Sequence, residues 1–182
     1  METERAEFRC AVRHGYQILL RVEAQIELPT DLSRIRDFYR SLVDTCLDWA
    51  KNDYGEQLKA EYAALTSVRE RAQFRPQKYS LGLRLCHEEA GLAAFVCESV
   101  MTGAWRGMVD GYHRVSHVWD TSEETALPMG QILNRFGFRL SKKDLPFCPD
   151  GIYPEKGDLV VFRNATESDE FLEKKFSLQN SP

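Results

Sequence analysis

Apolar residues in the middle of the chain predict the core of a β-sheet. Three segments have strand-like patterns: Tyr79–Cys86, Leu92–Met101 and Tyr112–Trp119. The middle segment is apolar at both odd and even positions, which is typical of a strand covered on both faces, whereas the first alternates and should be covered on one. We expect an acidic turn at His87–Gly91 and a glycine-bearing loop at Gly103–Gly111 to join the three strands.

The N-terminal part of the chain alternates between apolar and polar side chains over residues 7–28. A tight turn is expected at His14-Gly15, since glycine tolerates the positive φ that such turns need, and the pattern predicts a β-hairpin. In its second arm the even positions, such as Leu20, should be buried and the odd positions, such as Gln25, should be exposed. This arm is long for one regular strand, so a bulge or bend is predicted within it.

Helical periodicity follows the hairpin. Apolar residues recur at steps of three and four over residues 32–49 and continue to about residue 71, which predicts amphipathic helices packed on the sheet. Thr30 or Asp31 is expected to cap the first helix. Gly55 either kinks one long helix or separates two, and the sequence leaves both possibilities open.

Shorter elements are predicted in the C-terminal third. A short helix should begin near Pro128, and a hairpin turn at Glu155–Gly157 should lead into the apolar strand Leu159–Phe162, which we expect to return to the same sheet. Amphipathic spacing over Ser168–Phe176 predicts a terminal helix.

The predicted fold class is α+β. One domain spanning residues 1–182 is expected to contain a twisted, mainly antiparallel sheet of about six strands with a layer of two helices on one face. Residues 1–6 and 177–182 are expected to be disordered ends. A chain of 182 residues with 43% hydrophobic content is long enough for one sizeable core and too short to need two domains.

Charge and targeting signals narrow the class of partner. The formal net charge is −4 and the isoelectric point is about 5.6, so we expect no nucleic-acid partner and no anionic membrane surface, because both need a basic excess. No run approaches the ~18 apolar residues of a membrane span, and the N-terminus lacks the order of a secretory signal. A soluble, cytoplasmic protein is predicted.

Cysteine usage fits a reducing compartment. The five cysteines are an odd number without Cys-x-x-Cys spacing, so they predict neither a disulfide framework nor a zinc site. We expect free thiols, most of them acting as small core residues.

The order of elements carries a resemblance to a known family. An N-terminal strand pair and a helix precede strands with the glycine-bearing loop Met101–Gly107, and an aromatic strand then leads into Trp119–Asn134 and the closing segment Leu145–Pro154. This order resembles the domain of unknown function found in the extracellular part of lysozyme-sensing anti-sigma factors and beside peptidoglycan deacetylases. The family's loop usually carries adjacent glycines with a histidine, whereas Gly103 and Gly107 are separated here. The resemblance implies a sensing or binding role.

Catalytic motifs are weak in this sequence. His113 and His117 have the four-residue spacing of a helical zinc motif, but their segment is predicted as a strand, on which four residues span ~13 Å. The sequence Cys86–Glu89 contains ligand types in a predicted turn, where neighbouring side chains point in different directions. No glycine loop carries the lysine of a phosphate site. We expect no metal and no cofactor, and the sequence makes no case for an enzyme.

A cluster of aromatic and basic residues is the predicted binding surface, because Trp, Tyr and Arg are frequent interface anchors. It comprises Trp105, Arg106, Tyr112, His113, Arg114, His117 and Trp119. The preferred hypothesis is a non-catalytic binding or sensing module with a protein partner. The alternative for Trp119 and Tyr112 is that they merely pack on the helix layer. One alternative is a small metal- or histidine-dependent hydrolase that uses His87, His113 and His117. A second alternative is a structural accessory protein that acts by self-association.

Overall fold

A six-stranded sheet forms the frame of the protein. The computed structural model describes residues 1–103, 111–141, 143–166 and 169–178. The strands, in their order across the sheet, are β1 (Thr3–His14), β2 (Gln17–Pro29), β3 (Gln77–Glu89), β4 (Leu92–Thr102), β5 (Gly111–Asp120) and β6 (Thr125–Ala126). All neighbours are antiparallel except β2 and β3. That parallel pair needs a crossover, and the helical region between the two strands supplies it.

The predicted hairpins are present. Gly15 has φ +58° at the tip of the first hairpin. The pairing of β1 with β2 shifts where Val12 lies opposite Leu20 and Arg13 opposite Ile18, so Leu19 is an extra residue in β2. This confirms the bulge predicted in the second arm. The turn after β3 is shorter than predicted, because the strand continues through Glu89.

The helices are α1 (Ser33–Asp48), a π-helical turn (Trp49–Tyr54), α2 (Gly55–Ala63), α3 (Val68–Gln73) and α4 (Met129–Arg135). Gly55 neither ends a helix nor separates two, since the backbone stays right-handed helical from α1 through the π turn into α2. A Cβ at Gly55 would lie only 3.0 Å from the side chain of Val12. Glycine therefore allows the helix to approach β1 closely.

The N-terminus of α1 is capped from a distant part of the chain. The carboxylate of Glu124 accepts hydrogen bonds from the backbone N–H groups of Arg34 (2.7 Å) and Ile35 (3.3 Å). The residue before the helix, Leu32, makes no side-chain cap. The prediction of Thr30 or Asp31 as the cap was wrong, because a residue from the turn after β5 takes that role.

The first hydrophobic core lies between the sheet and the helices. Leu20 is fully buried there, whereas Gln25 on the same strand is exposed, which confirms the predicted alternation. Other core residues, from β2, β3, β4 and the helices, are Val22, Ala24, Ile35, Tyr39, Val43, Leu47, Leu58, Leu81, Leu83 and Phe95.

A second, three-stranded sheet was not predicted. It consists of β7 (Gly151–Glu155), β8 (Asp158–Arg163) and β9 (Leu172–Ser177), paired antiparallel in that order. The expected return of Leu159–Phe162 to the main sheet was therefore wrong. The terminal helix was also wrong, because Leu172 and Phe176 stand four apart, a spacing that fits a strand face as well as a helix face.

The small sheet packs on β4 and β5 around a second core that includes Ala94, Val96 and Val118 with Val160 and Phe162. Every residue from 92 to 97 is buried, which confirms that β4 is covered on both faces. On β1 and β2, the face on the side of the small sheet is largely exposed to solvent. The α+β class with a six-stranded, mainly antiparallel sheet is confirmed.

Residues 3–6, expected to be a disordered end, lie in β1, and Ser177 lies in β9; residues 179–182 are outside the described part. All five cysteines are free thiols. None of the helices in the described ranges is both long and apolar enough to cross a membrane.

Candidate functional site

Strand β5 divides the predicted binding surface between the two faces of the six-stranded sheet. Because successive side chains of a strand point to opposite faces, Tyr112 and Arg114 lie on the side of the small sheet. His113, His117 and Trp119 lie on the side of the helices. These five side chains therefore do not all belong to one surface.

Arg114 joins the two sheets. The residue is only 9% exposed, and its guanidinium donates hydrogen bonds to Glu98 on β4 (2.9 Å), to Glu173 on β9 and to the hydroxyl of Tyr153 on β7 (3.0 Å). Asn164 fixes the backbone, since its side-chain oxygen accepts from the Arg114 N–H at 2.7 Å and its amide donates to the Arg114 carbonyl at 2.9 Å. Arg114 is thus a structural clamp rather than an exposed anchor.

The surroundings of Arg114 favour its positive charge. Burial acts to lower the pKa of the guanidinium, but the hydrogen bond to Glu173 and the field of Glu98 raise it by more, so the pKa lies above its ordinary value. Its guanidinium carbon also lies 5.0 to 5.7 Å from the centroids of four aromatic rings, those of Tyr112, Tyr153, Phe162 and Phe171.

His117 and Trp119 pack in the core under α1. The Trp119 indole N–H donates to the Tyr39 hydroxyl at 3.0 Å, and that hydroxyl lies 3.3 Å from Nδ1 of His117. The ring of Phe38 meets both His117 and Trp119 edge to face. Burial lowers the pKa of His117. Trp119 therefore matches the packing interpretation that the sequence left open, whereas Tyr112, for which packing on the helix layer was also considered, lies on the small-sheet side.

His113 is the described member of the predicted surface with an exposed side chain on the helix side. It lies at the rim of a cleft of about 500 Å³ between the π-helical turn and the ends of β4 and β5. Tyr112 also borders this cleft. Trp105 and Arg106, which complete the predicted surface, lie outside the described residues.

We name this depression the Trp49 cleft. Its lining residues come from α1, the π turn, three strands and the segment after β8: Thr45, Cys46, Trp49, Tyr79, Ser99, Met101, Gly111, Tyr112, His113 and Ala165. None of the lining residues in the described part of the chain is Asp, Glu, Lys or Arg. The cleft therefore suits an uncharged, largely apolar group.

The π-helical turn positions the indole of Trp49 at the cleft. The indole stacks on Tyr54 at a centroid distance of 5.4 Å and meets Tyr79 edge to face at 5.7 Å, yet 43% of the residue is exposed. A π turn widens the helix by one residue per turn and is frequent at functional sites. Trp49 is thus held rigidly while one side remains open to a ligand.

The floor of the Trp49 cleft is polar but uncharged. Tyr79 lies there with Ser99 and Cys46, and burial raises the pKa of Tyr79. Burial also raises the pKa of the Cys46 thiol. Both groups stay protonated near neutral pH, so the floor offers hydrogen-bonding groups without a nucleophile or base.

The other candidate catalytic groups do not assemble. Burial raises the pKa of the Cys86 and Cys97 thiols to about 12, which leaves them unreactive at neutral pH. His87 faces the small-sheet side, with its ring 5.9 Å from that of Phe136, whereas His113 and His117 face the helices. In the described parts of the chain, no group of three His, Cys, Asp or Glu is placed to hold a metal ion.

A second depression, of about 400 Å³, lies on the opposite face of the sheet above Gly82. A row of directly paired residues crosses five strands there: Glu7, Gln25, Gly82, Glu98 and Arg114. Charged neighbours form ion pairs, including Lys78 with Glu23 at 2.8 Å and Arg5 with Glu27 at 3.6 Å. The charges compensate one another, which is typical of a solvated sheet face.

Sequence reasoning missed the Trp49 cleft. Trp49 fitted the apolar period of α1 and was assigned to the helix layer with the core residues. The buried positions of the helix recur through Leu47 and Ala50, so Trp49 lies beside the buried stripe and not within it. Tyr79 was placed correctly on a strand, but its position on the floor of the cleft depends on tertiary packing.

Comparison with known proteins identifies the fold. No family model and no curated protein matches the chain. A member of the DUF3298 family from Bacteroides fragilis has a TM-score of 0.63 at 8% identity over 98% of this chain and 90% of that chain. A DUF3298 family protein from Pseudomonas aeruginosa PAO1 has a TM-score of 0.53 at 14% identity over 97% and 89%. The likeness shows the fold and agrees with the predicted resemblance to a domain of unknown function.

Proposed function

We propose that this protein is a non-catalytic binding module that recognises a protein partner through the Trp49 cleft. The partner inserts an uncharged, apolar side chain between Trp49 and the β4–β5 ends, and its backbone meets His113 at the rim. The observation that carries this proposal is an exposed indole held by stacking at the edge of an uncharged cleft. Tryptophan is among the residues most enriched at the energetic centres of protein interfaces.

The size and charge of the cleft support this class of ligand. A volume of about 500 Å³ falls within the range of sites that enclose one or two side chains or a small molecule. The net charge of −4 and the lack of Lys and Arg among the described lining residues favour an uncharged ligand over a phosphate-bearing one. The sequence resemblance to the domain of lysozyme-sensing anti-sigma factors supports a sensing role.

The protein is further proposed to act in the cytoplasm, for which the five free thiols provide support. The proposal includes no catalysis, because burial raises the pKa of the Cys46, Cys86 and Cys97 thiols and keeps them protonated. In addition, His87 lies on the opposite face of the sheet from His113 and His117. The absence of a nucleophile on the floor of the cleft fits binding rather than turnover.

The experiment is a selection of random peptides displayed on phage against the immobilised protein, followed by calorimetry with one enriched peptide. Trp49→Ala should weaken the binding of that peptide by about 2 kcal/mol, which is a roughly 30-fold increase in Kd. Tyr16→Ala is the matched control, since Tyr16 is a fully exposed aromatic residue in the first hairpin. No enrichment over an unrelated bait, or equal affinity for wild type and Trp49→Ala, would reject the proposal.

A further inference from the structure

Strand β1 forms one edge of the six-stranded sheet. It runs for twelve residues, Thr3–His14, and pairs with β2 on one side. Within the described ranges no strand pairs with its other side. Alternate backbone N–H and C=O groups along that side therefore have no ladder partner, which makes the edge a template for another strand.

The side chains of β1 carry charges of both signs at alternating positions. On the solvent face Arg5, Glu7 and Arg9 follow one another, and all three are exposed. On the helix face Glu4 is followed by Ala6, Phe8, Cys10 and Val12, and Phe8 and Cys10 pack partly against the first core. Charged side chains, prolines and bulges are the usual protection of an edge strand against pairing. β1 has no proline, and because its charges alternate in sign, they oppose a second copy only in registers that place like charges opposite each other. The bulge of this hairpin instead lies in β2, near the far end of β1.

Among the registers of β1 with itself that place opposite charges together, one pairs the most residues. Two copies of β1 related by a two-fold axis pair in antiparallel fashion. For the helix faces of both copies to lie on the same side of the joined sheet, one residue of β1 must lie directly opposite its own copy, and the axis passes between the two. We name each register by that central residue. With the axis at Phe8, Glu7 of each copy lies opposite Arg9 of the other, and Ala6 lies opposite Cys10. Phe8 meets its own copy, and residues 3–13 all take part.

Neighbouring registers are worse. An axis at Glu7 places two glutamates opposite each other and Arg5 opposite Arg9, whereas an axis at Arg9 places two arginines opposite each other. Like charges directly opposite each other destabilise a strand pair. An axis at Cys10 avoids like charges, but it shortens the pairing to residues 6–14 and brings the irregular Val12–Arg13 step inside it.

We infer that two copies of this chain associate edge to edge through β1, in the antiparallel register centred on Phe8. The two six-stranded sheets then continue into one sheet, with the helices of both copies on the same side. The Trp49 cleft is at the opposite end of the strand order from β1, at the ends of β4 and β5. This inference is therefore independent of the proposed function.

Charge reversal tests the register. Glu7 and Arg9 are both largely exposed, so Glu7→Arg and Arg9→Glu should leave the fold intact. Sedimentation equilibrium should show a dimer for the wild type and at least about tenfold weaker association for either variant alone. An equimolar mixture of the two variants should regain the dimer, because each arginine then faces a glutamate of the other copy.

Cross-linking provides the second measurement. In Ala6→Cys the introduced thiol should form an intermolecular disulfide with the native Cys10 of the other copy on mild oxidation, as shown by peptide mapping. Within one chain these positions lie four residues apart on a strand, ~13 Å, too far to bond. A strict monomer at the highest soluble concentration would overturn the inference. A dimer that both charge variants retain, or a β1 edge that pairs only with the selected peptide, would overturn it as well.

Discussion

The two faces of the six-stranded sheet are built for different purposes. On the helix face, Leu20, Tyr39 and Trp119 belong to one continuous core, and the Trp49 cleft opens at the margin of that core. On the opposite face the small sheet packs on β4, β5 and the end of β3, where Arg84 pairs with Glu155, and the rest carries paired charges above Gly82. Residues that are neighbours in β5 therefore have unrelated roles, and a cluster in the sequence is not a cluster on the surface.

The largest expected effect compares one residue from each face of β2. Leu20→Asp should place an unpaired carboxylate at a fully buried position, which costs several kcal/mol, comparable with the whole ~5–15 kcal/mol stability of a domain this size. Gln25→Asp, which stays exposed, should change the free energy of unfolding by less than ~1 kcal/mol. Denaturant titration measures both. Equal tolerance of the two changes would show that the faces are not distinct.

The next effect concerns the contact between the two sheets. Arg114→Ala removes the cation that Glu98 and Glu173 share among aromatic rings, and it should lower the free energy of unfolding by about 3–5 kcal/mol. Arg9→Ala removes a mostly exposed pair with Glu7 and should cost less than ~1 kcal/mol. Chemical denaturation of both variants compares them. A small loss for Arg114→Ala would mean that the small sheet is held by its apolar contacts alone.

A smaller, pH-dependent effect is expected from the buried histidines. Burial lowers the pKa of His117 and of His87 below 6.5, so between that value and the folded-state pKa the unfolded chain binds more protons than the folded protein. The free energy of unfolding should therefore fall as the pH drops below about 6.5. His117→Gln should make this decline shallower, as thermal melts between pH 8 and 5 would show. An unchanged pH dependence would place His117 in contact with water.

Most of the main sheet was predictable because alternation reports burial directly. The even positions of β2, the doubly covered β4 and the turn at Gly15 all follow from side-chain chemistry and backbone sterics. The second sheet was not predictable in the same way. The four-residue spacing of Leu172 and Phe176 fits a helix face and a strand face equally well. The strand that pairs with them is β8 of the small sheet, not a strand of the main sheet.

The candidate site was less predictable than the fold. The sequence correctly marked β5 as rich in aromatic and basic residues, but it did not show that Arg114 is clamped by Glu173 or that Trp119 bonds to Tyr39. Both partners are distant along the chain. Trp49 escaped notice because it lies next to the buried stripe of the helix, and its apolar character does not show that much of the side chain is exposed.

The most direct test of this account follows the tryptophan indole signals during binding. The chain has three tryptophans, and a Trp49→Phe variant assigns the Trp49 indole N–H resonance in a ¹H–¹⁵N correlation spectrum. On titration with the enriched peptide, the Trp49 signal should shift and the Trp119 signal should stay in place, since the Trp119 N–H is engaged with Tyr39 in the core. A shift of the Trp119 signal with an unmoved Trp49 signal would contradict the assignment of binding to the Trp49 cleft.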